Sequence, residues 1–133
     1  MKFFMINSLI AIFSFFLFSC NSTDYIPKDA VEFQGHYYKV FQSASSWKEA
    51  VEKCHLMGGQ LAAVKSQEVN DFIVKISEGR CLWLGASDEI SEGEWLWRDG
   101  SKMLYSNWAS HEPDNWYDGT EHTVVIGWPG YKK

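Results

Sequence analysis

The stretch from Ser46 to Val64, SWKEAVEKCHLMGGQLAAV, decides the reading of the fold. Ser46 followed three residues later by Glu49 is a capping box, in which each side chain satisfies a backbone N–H that the helix itself leaves without a partner. Trp47, Ala50, Val51, Cys54 and Met57 then recur at helical spacing, which puts one apolar stripe against a core. Gly58-Gly59 ends the helix, because glycine accepts the left-handed backbone of a helix C-terminus without steric cost. Leu61 to Val64 is a short apolar segment, and Ser66 stands where it would cap a second helix. In that helix Val69, Phe72, Ile73 and Ile76 form one stripe, and Gly79 closes it.

On either side of the two helices the pattern changes. His36 to Phe41 is rich in aromatic and β-branched residues and reads as a first strand. Cys81 to Gly85, Glu94 to Trp97 and Glu121 to Ile126 read as further strands. Between Asp99 and Thr120 the sequence is turn-rich and aperiodic, so this is a long loop, and long ordered loops in small domains are usually functional. The fold class is therefore α+β, with two helices, short strands and one long loop. There is no internal repeat, no low-complexity tract and no glycine-rich phosphate cradle.

A chain of 133 residues is sized for a single domain. Its 12 basic residues stand against 17 acidic ones, for a net charge of -5, which excludes nucleic acid as a natural partner because phosphate neutralisation needs a positive surface. The apolar content divides in two. All seven Trp lie between Trp47 and Trp128, whereas six of the nine Phe precede residue 20. That early run, Phe3 to Phe18 after a single Lys2, reads as a secretory signal peptide over residues 1–19. Leu17-Phe18-Ser19-Cys20 resembles the bacterial lipobox, which implies cleavage before Cys20 and its acylation. Residues 20–32 then form a polar tether containing Pro27, and residues 33–133 form the domain. An uncleaved transmembrane anchor and an ordinary secretory signal are the alternatives, and each also places the domain outside the cytoplasm.

Several motifs in order carry a family resemblance. Ser46-Trp47, Ala50 through Cys54, Gly58-Gly59-Gln60-Leu61-Ala62, Glu68 with Phe72, Trp83-Leu84-Gly85, Glu92-Gly93-Glu94-Trp95 with Trp97, and Asn107-Trp108 leading to Glu112-Pro113-Asp114-Asn115 together resemble a C-type lectin-like domain over about residues 33 to 128. The resemblance implies two helices flanking small antiparallel sheets, with a long loop region that carries calcium and sugar. Most of these motifs read as structural: Trp83, Trp95, Trp97 and Trp108 are expected as core aromatics.

Function must be read from the loop. Glu112, Asp114 and Glu121 are three carboxylates within ten residues, a density of hard oxygen ligands that suits Ca²⁺. The resemblance implies that these three hold the principal ion, that the bond before Pro113 is cis, and that a sugar's vicinal hydroxyls complete the shell. It implies a second, auxiliary calcium set of Asp88, Glu92 and Glu121, with Asn115 and His122 standing where the family commonly has Asp. Two further ligands, an Asn-Asp pair after a Trp, have no counterpart here, since Trp128 is followed only by Pro129-Gly130-Tyr131-Lys132-Lys133. The family's closing strand and final Cys are also missing, which is expected of a truncated product or of a variant that closes its sheet differently.

With Cys20 acylated, Cys54 and Cys81 remain, and a bridge between them or two buried free thiols both stay open. A zinc site is not expected, since His55 faces away from Cys54 and His36, His111 and His122 lack ligand spacing. The functional expectation is a glycan- or glycoprotein-binding module held at the cell surface. Its sugar is read from a hybrid tripeptide: Glu112 resembles the mannose type, whereas Asp114-Asn115-Trp116 resembles the galactose type, in which the Trp stacks on the sugar. Galactose or N-acetylgalactosamine is favoured over mannose. The alternative is a calcium-independent domain that binds protein or serves as a scaffold. An enzyme is not expected, because carboxylates two residues apart in an exposed loop do not enclose a scissile bond.

Overall fold

A computed structural model describes residues 9–14, 26–42, 46–115, 119 and 121–127. In chain order the elements are β1 (Leu9–Ser14), β2 (Val31–Phe33), β3 (His36–Phe41), α1 (Trp47–Leu56), β4 (Gln60–Leu61), α2 (Gln67–Ser77), β5 (Leu82–Ser87), β6 (Leu96–Trp97) and β7 (Thr123–Ile126). The sheet runs β2-β3-β1-β5-β6, with β4 paired to β1 and β7 paired to β5. The α+β expectation holds.

The capping box of α1 is formed in both directions: the Glu49 carboxylate accepts from the Ser46 N–H at 2.8 Å, and the Ser46 hydroxyl accepts from the Glu49 N–H at 3.3 Å. At the other end the N–H groups of Gly58 and Gly59 return to the carbonyls of His55 and Cys54, as a left-handed helix terminus requires. Ser66 caps α2 through Val69 N–H. This helix closes one residue earlier than its glycine suggests, since Glu78 already takes the left-handed conformation (φ 51°) before Gly79 does.

Two apolar clusters fill the two faces of the sheet, and strand alternation explains the division. Leu82, Leu84 and Ala86 of β5 and Val124 and Ile126 of β7 join Val69 and Ile73 of α2. The residues between them, Trp83 and Val125, join Trp47, Ala50 and Cys54 of α1 on the other face. Each fully buried side chain of this size contributes about 1.5–3 kcal/mol of transfer free energy. Trp47 also donates its indole N–H to the Leu84 carbonyl at 2.8 Å, pinning α1 to β5 through a buried polar contact. Gly85 explains the third residue of the Trp-Leu-Gly motif: its N–H bonds to the Ala62 carbonyl, and a Cβ there would stand 2.6 Å from the Leu61 carbonyl oxygen.

Three stretches differ from the sequence expectation. Val31 and Glu32, assigned to the tether, pair with β3 as part of a hairpin whose turn residues Gln34 and Gly35 both have positive φ. That is the geometry of the two-residue turns that match strand twist, but Gln-Gly signals it more weakly than Asn-Gly. The strand expected at Glu94–Trp97 shortens to Leu96–Trp97, and the one expected at Glu121–Ile126 begins at Thr123. Finally, Leu9–Ser14 lies inside the stretch read as a signal peptide, yet here it is a strand antiparallel to β3, from Leu9 opposite Phe41 to Ser14 opposite His36. It also pairs with β4 and with β5, where Leu9 stands opposite Trp83. An apolar run can serve either purpose, because the hydropathy that directs export also suits a buried strand. Among the described residues, no helix is long and apolar enough to cross a membrane.

Candidate functional site

The long loop is fastened at its base. Lys65 donates to the Asp99 carboxylate at 2.6 Å, and Ser101 donates to the same group through its hydroxyl and its N–H. These bonds hold the Asp99 carboxyl down to about 2. Farther along, the Tyr105 hydroxyl donates to Gln67 of α2 at 2.9 Å, and Trp108 packs on Trp95 with ring centroids 5.2 Å apart. All four tryptophans expected to be structural pack in or against the apolar clusters: Trp83 and Trp97 are buried, and Trp95 and Trp108 are half-buried against the core, a floor for the rest of the loop.

Beyond that floor the chain turns sharply. The Glu112–Pro113 peptide bond is cis, and His111 and Asn115 on either side have φ of 69° and 49°. The turn brings Glu112 and Asp114 against Glu121, which precedes β7. Ligand atoms of the three carboxylates all lie within 4.8 Å of one another. Glu121 is buried, Glu112 half-buried and Asp114 exposed, so the cluster has a floor and an open side. Asn115 joins its two ends, its side-chain oxygen accepting from the Glu121 N–H at 3.4 Å. Three convergent carboxylates repel one another, and a hard divalent cation relieves that repulsion while satisfying their oxygens. The donor set is of the kind that suits Ca²⁺: Glu112, Asp114 and Glu121 could hold such an ion, and the exposed side of the cluster faces solvent.

The residues expected at the auxiliary calcium site regroup. Glu121 belongs with Glu112 and Asp114, whereas Asp88 and Glu92 meet His122. Asp88 follows β5 and His122 precedes β7, and the pairing of Ser87 with Thr123 sets the two side by side. His122 Nδ1 stands 3.1 Å from Asp88 Oδ1 and 3.7 Å from Glu92 Oε2. The family resemblance already sets His122 beside Asp88 and Glu92, where an Asp is common, and the strand register adds their direct approach.

Two other expectations fall as follows. Cys54 and Cys81 are buried in the cluster under α1 and are not bridged to each other, and burial pushes their thiols up to about 12 and about 11. Trp116, the expected sugar platform, and Cys20, the expected acylation site, lie outside the described residues.

Comparison with known proteins identifies the family of the fold. Residues 43–132 match the family model of the Lectin C-type domain. The chain is 34% identical over 97 residues to the versican core protein of Rattus norvegicus, covering 73% of this chain and 4% of that protein. It is 37% identical over 101 residues to asialoglycoprotein receptor 2 of Mus musculus, covering 74% of this chain and 33% of that protein. It thus spans a minor part of these relatives. Among solved structures, the C-type carbohydrate-recognition domain of cow CD23, crystallised in the presence of a GlcNAc2Man3 oligosaccharide, superposes with a TM-score of 0.71 at 33% identity, covering 81% of each chain. The C-type lectin CEL-I of Cucumaria echinata gives 0.69 at 28% identity, covering 74% of this chain and 79% of that one. The order of helices and strands and these likenesses agree: the chain belongs to the C-type lectin domain family of carbohydrate-binding, lectin-like modules.

Proposed function

We propose that this domain binds carbohydrate through a Ca²⁺ ion held by Glu112, Asp114 and Glu121. The observation that carries the reading is the convergence of those three carboxylates, with ligand atoms within 4.8 Å of one another. A bare sugar hydroxyl is a weak ligand in competition with water. Glu112, Asp114 and Glu121 would hold the ion, which would supply a Lewis-acidic contact for a sugar's hydroxyl oxygens, while the same carboxylates would accept hydrogen bonds from those hydroxyls, so that one shallow site could recognise a neutral molecule. The sugar favoured is galactose or N-acetylgalactosamine, on the pairing of Asp114 with Trp116 in the sequence. Retention on immobilised galactose in Ca²⁺ is expected to be competed by galactose and not by mannose. Trp116→Ala is expected to weaken it about fivefold, the equivalent of ~1 kcal/mol of stacking. Competition by mannose alone, unchanged in Trp116→Ala, would overturn the preference. No competition by any sugar would favour calcium-independent protein binding.

We further propose that the domain works outside the cytoplasm, tethered to a membrane through acylated Cys20, on the strength of Leu17-Phe18-Ser19-Cys20 and the polar tether after it. Two acyl chains at ~0.8 kcal/mol per buried CH₂ give stable attachment. This reading and strand β1 exclude each other in one molecule, because cleavage before Cys20 removes Leu9–Ser14. Intact mass separates them. The expected product begins at a lipid-modified Cys20, and Cys20→Ser loses the modification; a mature chain that keeps residues 1–19 refutes the lipid anchor.

A further inference from the structure

The second cluster does not fit the ion that its position in the family implies. A Ca²⁺ site is built from six to eight oxygen ligands at 2.3–2.6 Å. Here one of the three convergent donors is an imidazole nitrogen, which suits zinc, copper and nickel far better than calcium. We propose that Asp88, Glu92 and His122 form a site for a borderline divalent cation, with Zn²⁺ the best match, in place of an auxiliary Ca²⁺.

Geometry supports the assignment independently of donor type. With bonds of about 2.0–2.1 Å, two ligand atoms of a tetrahedral zinc stand about 3.4 Å apart. His122 Nδ1 hydrogen bonds with Asp88 Oδ1 at 3.1 Å and stands 3.7 Å from Glu92 Oε2; both separations are close to that edge, so an ion could take the place of the hydrogen bond. All three donors lie within 4.8 Å of one another, so one ion reaches them with small side-chain adjustments. The ligands come from three separate places: the end of β5, the turn after it, and the residue before β7. The Asp88 carboxylate forms the floor, its side chain only 1% exposed. Its other oxygen accepts from the Gly93 N–H at 2.9 Å, which fixes the carboxylate and aims Oδ1 at His122, the outer-shell support that metal ligands usually have. Glu92 is more than half exposed and leaves the entrance open. Three protein ligands with one open position is the arrangement of zinc sites that keep a water or accept a ligand from solvent.

The site is separable from the one at Glu112, so the test uses the Glu112→Gln background of the full chain, stripped of metal. Calorimetric titration with ZnCl₂ is expected to show one site, and Co²⁺ used as a spectroscopic probe is expected to give the intense visible bands of tetrahedral coordination. His122→Ala and Asp88→Asn are each expected to weaken Zn²⁺ at least ~tenfold, the loss typical of outer-shell changes and thus a floor for a direct ligand. His122→Asp is expected to lose Zn²⁺ and gain Ca²⁺, an exchange that unfolding cannot produce. Zn²⁺ heats unchanged in His122→Ala, or Ca²⁺ binding tighter than Zn²⁺ in the Glu112→Gln protein, would overturn the assignment.

Discussion

Replacing Glu112 or Glu121 by glutamine is expected to abolish Ca²⁺ binding at millimolar concentrations. Extracellular calcium modules bind with dissociation constants of ~10⁻⁴ to 10⁻³ M. A site of three side chains starts at the weak end of that range. Glutamine keeps the shape and one oxygen of each side chain but removes a full negative charge from a set of only three. Even residues that merely support metal ligands cost 10–100-fold when changed. Loss of a direct, charged ligand is therefore expected to move the affinity out of reach. Calorimetry on each variant, with thermal melting to confirm that the fold persists, checks this. Unchanged Ca²⁺ heats in both variants would remove the site.

The largest effect on stability is expected at Gly127, at the end of β7. Its φ is +80°, and a Cβ built there would stand 2.5 Å from the carbonyl oxygen of Arg80. That carbonyl cannot retreat easily, because Arg80 is held by its own N–H to Ser77 at 3.0 Å and by its guanidinium to the end of α2. Gly127→Ala thus combines left-handed strain of about 1–2 kcal/mol with a backbone overlap of about 1–3 kcal/mol. For a domain of this size a loss near 3 kcal/mol lowers the melting temperature by roughly 10–20 °C. Two other glycines separate the terms. Gly35 has φ of +77° with nothing within 4 Å of the added carbon, so Gly35→Ala reports the strain alone. Gly85 lacks the positive φ but would meet the Leu61 carbonyl at 2.6 Å, so Gly85→Ala reports the overlap alone. Melting temperatures of the three variants check the argument, which fails if Gly127→Ala is no worse than Gly35→Ala.

The parts of the fold legible in the sequence are those fixed by local rules. The Ser46/Glu49 box and the stripes of both helices needed only the chain near them, and they appear as read. The Gln34-Gly35 hairpin escaped because its turn conformation exceeds what its residues signal. Strand β1 escaped because apolar runs do not declare their destination, and pairing between residues near 10 and near 40 leaves no local trace. The same distinction governs the sites. Glu112, Pro113 and Asp114 are contiguous, and their partner Glu121 lies one loop away, so the principal cluster could be named from the sequence. The second was legible only through the family resemblance, which groups His122 with Asp88 and Glu92; no local spacing shows it, since His122 reaches Asp88 through the register of β5 with β7, 34 residues apart along the chain.

Binding of the full chain to a glycan array, in millimolar Ca²⁺ and again in excess chelator, bears most directly on the proposed function. Binding to glycans with terminal galactose or N-acetylgalactosamine is expected in Ca²⁺, with loss in chelator and recovery when Ca²⁺ is restored. Binding that persists undiminished in chelator, or a folded chain that binds no glycan in Ca²⁺, would contradict a carbohydrate site built on Glu112, Asp114 and Glu121.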